Sequence, residues 1–356
     1  MKFFVSTGEV SGDLHMSYLV NSVRKKYSDA KFYGVGGEHC RKAGVYIVQD
    51  IKDLAIMGFT EILKKYSFLK EKAREYVEFI KKENIKKVVL VDYGGFNLKF
   101  LELLKKEIPE VEVFYYIPPK LWIWGENRIK KLRLADHIMV IFPWEVDFYK
   151  KYGIDAIYYG NPFVEKYEII KRTGENILLL PGSRKQEIVS LMPVLCEVAR
   201  NNPDEKFILK LSSKGHLDWI EKIEKNITVE VENSLYKCVS ASKVAIAASG
   251  TVTLELALMG IPTVVIYKTG FINAFIAKYI LKVGFVSLPN LTLNKEVYPE
   301  LLQDKCNASE IGKAIVNFEN NKEETEKNIL EVRKQLSGKN IVESYGDFLM
   351  KGERWN

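Results

Sequence analysis

The chain of 356 residues has only four cysteines and four histidines. Cys40, Cys196, Cys238 and Cys306 lie far apart and form no CxxC pair. They read as reduced thiols of a cytosolic protein rather than as a disulfide framework. The histidines form no HxH, HExxH or HxxxH, which argues against a transition-metal site built by the protein. With 23 glycines and 11 prolines the chain is neither collagenous nor of low complexity. A GxxxxGK[ST] loop is missing, so the chain is not a Walker NTPase. Gly34, Gly36 and Gly37 make GVGG, but His39 takes the place of the third glycine of GxGxxG, which disfavours a dinucleotide dehydrogenase. Long apolar runs are missing too. The longest stretch without Lys or Arg, Val244 to Tyr267, holds Gly250, Glu255, Gly260 and Pro262. It reads as a strand and helix of a soluble domain, not a membrane span. The apolar run after Lys2 is too short for the core of a signal peptide.

What is present suits a folded protein. The 19 Tyr, 18 Phe and 5 Trp argue against disorder, and the 47% hydrophobic and 28% charged shares are ordinary for a globular chain. The length suggests two domains. Fifty-three basic against 46 acidic residues leave a net charge of +7. That excess suits an acidic substrate, a phosphorylated ligand or an anionic membrane surface, with simple solubility as the plainer reading. It is too weak and too spread to indicate nucleic acid.

Apolar runs and helical periodicities alternate from the start. Lys2–Ser6 reads as a buried strand, followed by a glycine-containing loop at 7–13 and a helix through Leu14, Tyr18, Leu19 and Val23. Val88–Val91, Val113–Ile117 and His137–Ile141 read as further strands, with a charged helix over 61–83. This order predicts parallel βαβ units. The turn Gly160-Asn161-Pro162 interrupts it. The pattern then restarts with strands at Ile177–Leu180, Lys206–Leu211, Thr228–Val231, Val244–Ala248 and Pro262–Tyr267, and a helix over 185–200. The fold expected is α/β, with two doubly wound Rossmann-like domains, 1–165 and 166–335. A final helix in 336–356 carries one apolar stripe (Ile341, Val342, Tyr345, Phe348, Leu349).

Ligands of such domains bind beyond the carboxyl ends of the strands, and four loops there carry chemistry. GEVSGD (8–13) offers Gly8 and Gly12 for close backbone approach and Glu9 and Asp13 as carboxylates. Asp13 reads either as the N-cap of the next helix or as a general base. DYGGFN (92–97) offers Asp92 as a base or as a carboxylate bonded to loop amides. Its Asn97 reads as a helix cap or a ligand contact. PGSRKQE (181–187) turns Gly182 and Ser183 into a helix N-terminus, an anion site to which Arg184 adds a fork suited to a diphosphate. SGTVTLE (249–255) places Ser249, Gly250 and Thr251 at another helix start. Glu255 lies one turn on, suited to ribose hydroxyls or to a backbone partner. This is the layout of a nucleotide-sugar glycosyltransferase without a metal cage, and no cofactor is expected.

Trp122 and Trp124 sit beside Lys120, Arg128, Lys130, Lys131 and Arg133. Two indoles among cations suit an anionic lipid interface or a phosphorylated amphiphile, or else form a core pair beside a solvated helix. Phe271–Phe285 is apolar and suits a helix at a membrane surface or in a core, but it is too short to span.

In order along the chain, GEVSGD, GVGG (34–37), MGFTE (57–61), DYGGFN, PPKLWIW (118–124), GNPF (160–163), LLPGSRKQEI (179–188), SGTVTLE and LPN…YPE (288–300) resemble the lipid-A-disaccharide synthases. The resemblance covers residues 1 to about 303. It implies a GT-B architecture, with an active site in an interdomain cleft and the C-terminal helix returning to the first domain. The implied reaction moves a sugar from UDP-2,3-diacylglucosamine to 2,3-diacylglucosamine 1-phosphate, with inversion and without metal or cofactor. It is expected in the cytoplasm, at the inner face of the cytoplasmic membrane, with peripheral contact to anionic lipid.

The resemblance leaves the choice of base open between Asp13 and Asp92, with Glu9 a weaker candidate. It assigns UDP to Gly182, Ser183, Arg184, Glu187, Ser249, Gly250, Thr251 and Glu255. It assigns acceptor or lipid to Gly12, Asn97, Lys120, Trp122, Trp124, Arg128, Asn290 and Glu300. The chain departs from the family pattern at Lys120 (often Gln), Gly125 (often Arg) and Gly95 (in some members a second acid), so no base role can rest on position 95. The rival readings are another GT-B UDP-sugar enzyme, either a muramyl-pathway transferase or a UDP-sugar 2-epimerase, and a non-catalytic nucleotide- or lipid-binding protein. Joint retention of Asp13, Asp92, Arg184 and Glu255 argues against the last. An exchanged C-terminal helix would make a homodimer.

Overall fold

Runs such as Phe3-Phe4-Val5 and Val88-Val89-Leu90-Val91 have no polar alternation, and all seven side chains are fully buried. Strands of this kind belong in a parallel sheet covered on both faces. The computed structural model describes residues 1–56, 62–121, 128–268 and 284–352. The chain divides into two units, 1–162 with 338–356, and 163–337. The expected breaks were 165/166 and 335/336.

The first unit holds strands β1 (Lys2–Ser6), β2 (Lys31–Gly36), β3 (Tyr46–Asp50), β4 (Lys87–Val91), β5 (Glu112–Tyr116), β6 (His137–Met139) and β7 (Ala156–Ile157). They form one parallel sheet in the order β3-β2-β1-β4-β5-β6-β7. Its helices are α1 (Val10–Lys26), α2 (Glu38–Ala43), α3 (Ile51–Ile56), α4 (Ile62–Lys82), α5 (Gly94–Glu107), α6 (Ile129–Leu132) and α7 (Pro143–Lys150). The sequence reading missed β2 and β3. KFYGVG carries two glycines, and YIVQD is a short strand at the sheet edge, so neither has a strong period.

The second unit holds β8 (Asn176–Leu180), β9 (Phe207–Lys210), β10 (Ile227–Glu230), β11 (Ser242–Ala248), β12 (Thr263–Tyr267) and β13 (Glu300–Leu302). This sheet is also parallel, in the order β10-β9-β8-β11-β12-β13. Its helices are α8 (Lys185–Asn201), α9 (Leu235–Ser240), α10 (Thr251–Leu258), α11 (Leu288–Leu293), α12 (Ala308–Asn320) and α13 (Lys322–Leu336). In α8 the buried Ile188, Leu191, Met192, Leu195 and Val198 share one face.

The last helix, α14 (Ile341–Lys351), packs on α1 of the first unit. Gly346 lets Val23 and Ser22 approach, and a Cβ there would stand 3.2 Å from Val23 Cγ2. The Lys26 ammonium lies 2.7 Å from Asp347. Lys87 donates to the last carbonyls of the helix, Leu349 at 2.9 Å and Met350 at 3.0 Å, where a cation is favoured.

Each sheet has one place where the strand order reverses: between β1 and β4 in the first, and between β8 and β11 in the second. Connections leave such neighbours toward opposite faces, which opens a crevice beyond their carboxyl ends. The four loops singled out in the sequence follow these four strands.

Candidate active site

In the first unit the GEVSGD loop is shorter than the sequence suggested. Helix α1 already begins at Val10, with exposed Glu9 as its extended N-cap, so Gly12 and Asp13 are helical. Gly12 packs against Val91, 3.5 Å from where its Cβ would be. Asp13 therefore does not cap its own helix. Its carboxylate accepts the amides of Gly37 (2.6 Å), His39 (2.9 Å) and Cys40 (3.3 Å), and the residue is 1% exposed. It caps α2 from across the fold and supplies the acceptor that the N-cap Gly37 lacks. Both oxygens of its carboxylate are thus engaged in holding the start of α2. Nearby His15 is held neutral by burial, its pKa pushed down to about 3.

Asp92 is different. It follows β4 with φ 44°, Tyr93 follows with φ 47°, and Ile117, after neighbouring β5, has φ 52°. Three non-glycine residues in the left-handed region mark backbone that its surroundings must hold in place. The Asp92 amide donates to the Ile117 carbonyl at 3.1 Å. Its carbonyl accepts the Tyr115 hydroxyl at 2.8 Å and the Asn97 side-chain amide at 3.1 Å. Burial, and next the charge of Glu9, push its carboxyl up to about 6; Lys120 and the Tyr93 amide oppose this more weakly. The Tyr93 ring lies over Gly8, where a Cβ would come within 2.0 Å of the ring, so only glycine fits. Gly95 is exposed with open space beside it.

Asn97 corrects the sequence reading. It is fully buried, accepts the Ser6 hydroxyl at 2.7 Å, and donates to the carbonyls of Ser6, Val91 and Asp92, each at 3.1 Å. It bolts the ends of β1 and β4 together and is neither cap nor ligand contact. Lys120 and Arg128 are exposed. Trp122, Trp124, Gly125, MGFTE and most of 271–285 lie outside the described residues.

In the second unit Gly182 turns with φ 99°, and a Cβ there would sit 2.3 Å from a Glu187 oxygen. Glu187 Oε2 accepts the amides of Ser183 (3.1 Å) and Arg184 (3.2 Å), and its Oε1 accepts Arg184 Nη1 at 3.3 Å. The amides expected to be free for a diphosphate are thus held by the chain's own carboxylate. The Arg184 side chain remains 74% exposed. Tyr267, at the end of β12, faces both Glu187 and Arg184. At the neighbouring loop the Ser249 hydroxyl donates to the Val286 carbonyl at 3.3 Å, Thr251 is half-buried, and Gly250 has open space where a Cβ would be. Glu255 takes its hydrogen bond from the Tyr167 hydroxyl, at 2.9 Å, rather than from backbone. Burial still holds its pKa above the usual carboxylate range.

Asn290 and Glu300 form a closed set. Asn290 accepts the amides of Val297 (2.8 Å) and Tyr298 (2.9 Å) and donates to the Tyr298 carbonyl (2.8 Å) and to Glu300 (2.9 Å). Glu300 also accepts the amides of Val286 and Ser287, each at 2.8 Å. These bonds tie α11 to β13, which corrects the expectation of ligand contacts for Asn290. Tyr115 and Tyr167 were missed. Their only signal is that a buried tyrosine hydroxyl needs a partner.

Two parallel sheets with functional loops at both reversal points define a two-domain GT-B enzyme of the UDP-sugar class. Solved structures with this fold include the spinosyn rhamnosyltransferase SpnG, with a TM-score of 0.64, 9% identity, and coverage of 98% of this chain and 100% of that one. They also include UDP-GlcNAc 2-epimerase from Neisseria meningitidis, with a TM-score of 0.63, 12% identity and 99% coverage of both chains. The chain belongs to the Lipid-A-disaccharide synthetase family, whose pattern matches residues 3–349. Lipid-A-disaccharide synthase 1 of Legionella pneumophila strain Lens is 33% identical over 93% of this chain and 91% of its own length. The lipid-A-disaccharide synthase of Trichlorobacter lovleyi is 33% identical over 95% and 94%. No helix among the described residues is long and apolar enough to cross a membrane. No cluster of three or more His, Cys, Asp or Glu that could hold a metal ion occurs among them.

Proposed function

We propose that this lipid-A-disaccharide synthase transfers the sugar of UDP-2,3-diacylglucosamine to the 6-hydroxyl of 2,3-diacylglucosamine 1-phosphate, with Asp92 as the general base. The observation that carries the assignment of the base is the contrast between two carboxylates at one crevice. Asp13 accepts three backbone amides that tie it to the start of α2, whereas Asp92 is half-buried, with its pKa raised. A base with a pKa just below working pH is ionised and still a useful proton acceptor. Asp92 takes the proton as the acceptor oxygen attacks the anomeric carbon from the face opposite UDP. The bond from that carbon to the β-phosphate oxygen breaks, and its electron pair leaves with UDP. The product is a β-1,6 disaccharide 1-phosphate with inverted configuration.

Arg184 supplies the positive charge that meets the leaving diphosphate. Glu187 holds the Arg184 loop in shape, and the Ser249–Thr251 turn offers further donors. Glu255, oriented by Tyr167, accepts from ribose. Lys120 and Arg128 meet the acceptor phosphate, and Trp122 and Trp124 rest against an anionic membrane surface.

The test is transfer in the presence of a metal chelator, followed by mass of the disaccharide, for wild type, Asp13→Asn, Asp92→Asn and Arg184→Ala. Product from wild type, with Asp92→Asn inactive yet still binding UDP, supports the assignment. Tight UDP binding without any product from wild type moves the function to another donor or acceptor. For the membrane, Trp122→Ala with Trp124→Ala lowers binding to anionic vesicles more than UDP affinity. Equal loss of both, or loss of the fold, counts against it.

A further inference from the structure

We infer that Tyr115 is a positioning residue for catalysis, holding Asp92 in the left-handed backbone conformation that points its carboxylate into the crevice. The inference rests on the reading of Asp92 as base. Tyr115 lies on β5, fully buried, and its hydroxyl donates to the Asp92 carbonyl at 2.8 Å. An aspartate reaches φ 44° more readily than most residues, but next to left-handed Tyr93 it needs bonds to hold it there. The neighbours do not release the strain, since Tyr93 and Ile117 are themselves left-handed. What fixes the peptide is a set of four bonds: the Asp92 amide to the carbonyls of Ile117 (3.1 Å) and Tyr116 (3.3 Å), and the Tyr115 hydroxyl and Asn97 amide to the Asp92 carbonyl. Asn97 also ties down Ser6 and Val91, whereas the Tyr115 hydroxyl is given to Asp92.

Position 149 provides an internal control. Tyr149 on α7 is fully buried in the same core and faces Asp92 and Tyr115, but its hydroxyl has no hydrogen-bond partner among the described residues. Loss of either hydroxyl leaves a buried phenyl ring. Only one loss removes a bond to the Asp92 peptide.

The experiment measures kcat, the KM for UDP-sugar, the pH profile of kcat and thermal stability for Tyr115→Phe, Tyr149→Phe and Asp92→Asn. The charged and titratable groups facing Asp92 are Glu9 at the N-cap of α1, Tyr93 on its own loop, Lys120 after β5, Tyr115 on β5 and Tyr149 on α7. None of the others changes in Tyr115→Phe.

Expected for Tyr115→Phe is a fall in kcat of roughly 10- to 100-fold with KM unchanged, the size associated with a misplaced reacting group. The acid limb of the profile moves below the wild-type inflection as the carboxylate relaxes toward water. Tyr149→Phe matches wild type. Tyr115→4-aminophenylalanine, which restores a donor, recovers activity, and it is the deciding variant if Tyr115→Phe folds poorly. Wild-type kcat and inflection in Tyr115→Phe, an equal loss in Tyr149→Phe, or no recovery with the restored donor overturns the inference. An active Asp92→Asn overturns the base assignment itself. Asp92→Asn inactive with Tyr115→Phe unaffected overturns only the role of Tyr115.

Discussion

After β4 the chain turns through Asp92 and Tyr93 at φ 44° and 47°, beside Ile117 at 52°; after β8 it turns through Gly182 at 99°. The second turn uses the residue that reaches this region freely. The first does not, and each such residue costs about 1–3 kcal/mol. The acids at the two turns differ in the same sense. Glu187 accepts two backbone amides and a guanidinium. Asp92 is left with a raised pKa and a neighbouring negative charge. Strain and a carboxylate only weakly compensated by Lys120 and the Tyr93 amide occur together at the loop proposed to move the proton, and a relaxed loop occurs at the one proposed to hold a phosphate.

Several substitutions break or sharpen that contrast. The largest effect is expected from Asp92→Asn, which removes the base and lowers kcat by 10²–10⁴-fold. The same variant gains stability at neutral pH. The folded pKa of Asp92 lies above the usual value for an aspartate, so its ionised form disfavours the fold above about pH 6, and that penalty fades as pH falls toward 4. Chemical denaturation at pH 7.5 should show Asp92→Asn more stable than wild type by about 1–2 kcal/mol, after allowance for partial exposure, and no more stable at pH 4. A destabilised Asp92→Asn at pH 7.5 would mean that the loop is not strained by its charge.

Next comes Asp13→Asn, which turns an NH₂ toward three amide donors. A loss of about 2–3 kcal/mol in unfolding free energy is expected, with residual activity that follows the folded fraction. Inactivity in a fully folded Asp13→Asn would reverse the roles of the two aspartates. Arg184→Ala is expected to raise the KM for UDP-sugar about 10- to 100-fold while the fold holds, because the side chain is exposed and its ion pair with Glu187 is a local one. The smallest effect is expected from Tyr167→Phe, a severalfold loss of UDP affinity measured by calorimetry, as Glu255 loses its orienting bond.

The strands with uninterrupted apolar runs were legible, and so were the four loops, because a glycine-rich turn after a buried strand has few other uses. Strand β13 was not, because Glu300–Leu302 pairs only along β12 and has no periodicity of its own. Asp13 was misread because its partners, Gly37 to Cys40, sit on a different element. Asn97 and Asn290 were read as ligand contacts for the same reason, since a lone asparagine in a loop gives no sign of which carbonyls the fold will bring to it. In Phe114-Tyr115-Tyr116 the sequence shows two tyrosines on a buried strand, which demands hydroxyl partners without naming them. What sequence could not supply at this site is contact between elements, and those contacts distinguish Asp13, bonded to three amides of another element, from Asp92, the proposed base.

The most direct test is the pH dependence of kcat, followed by product mass in the presence of a chelator, for wild type, Asp92→Asn and Asp13→Asn. A wild-type rate that rises through an inflection near pH 6 to a plateau is expected. Asp92→Asn should be flat and at least a hundredfold lower while still binding UDP, and Asp13→Asn should keep the inflection. An Asp92→Asn that retains both rate and inflection would contradict the account.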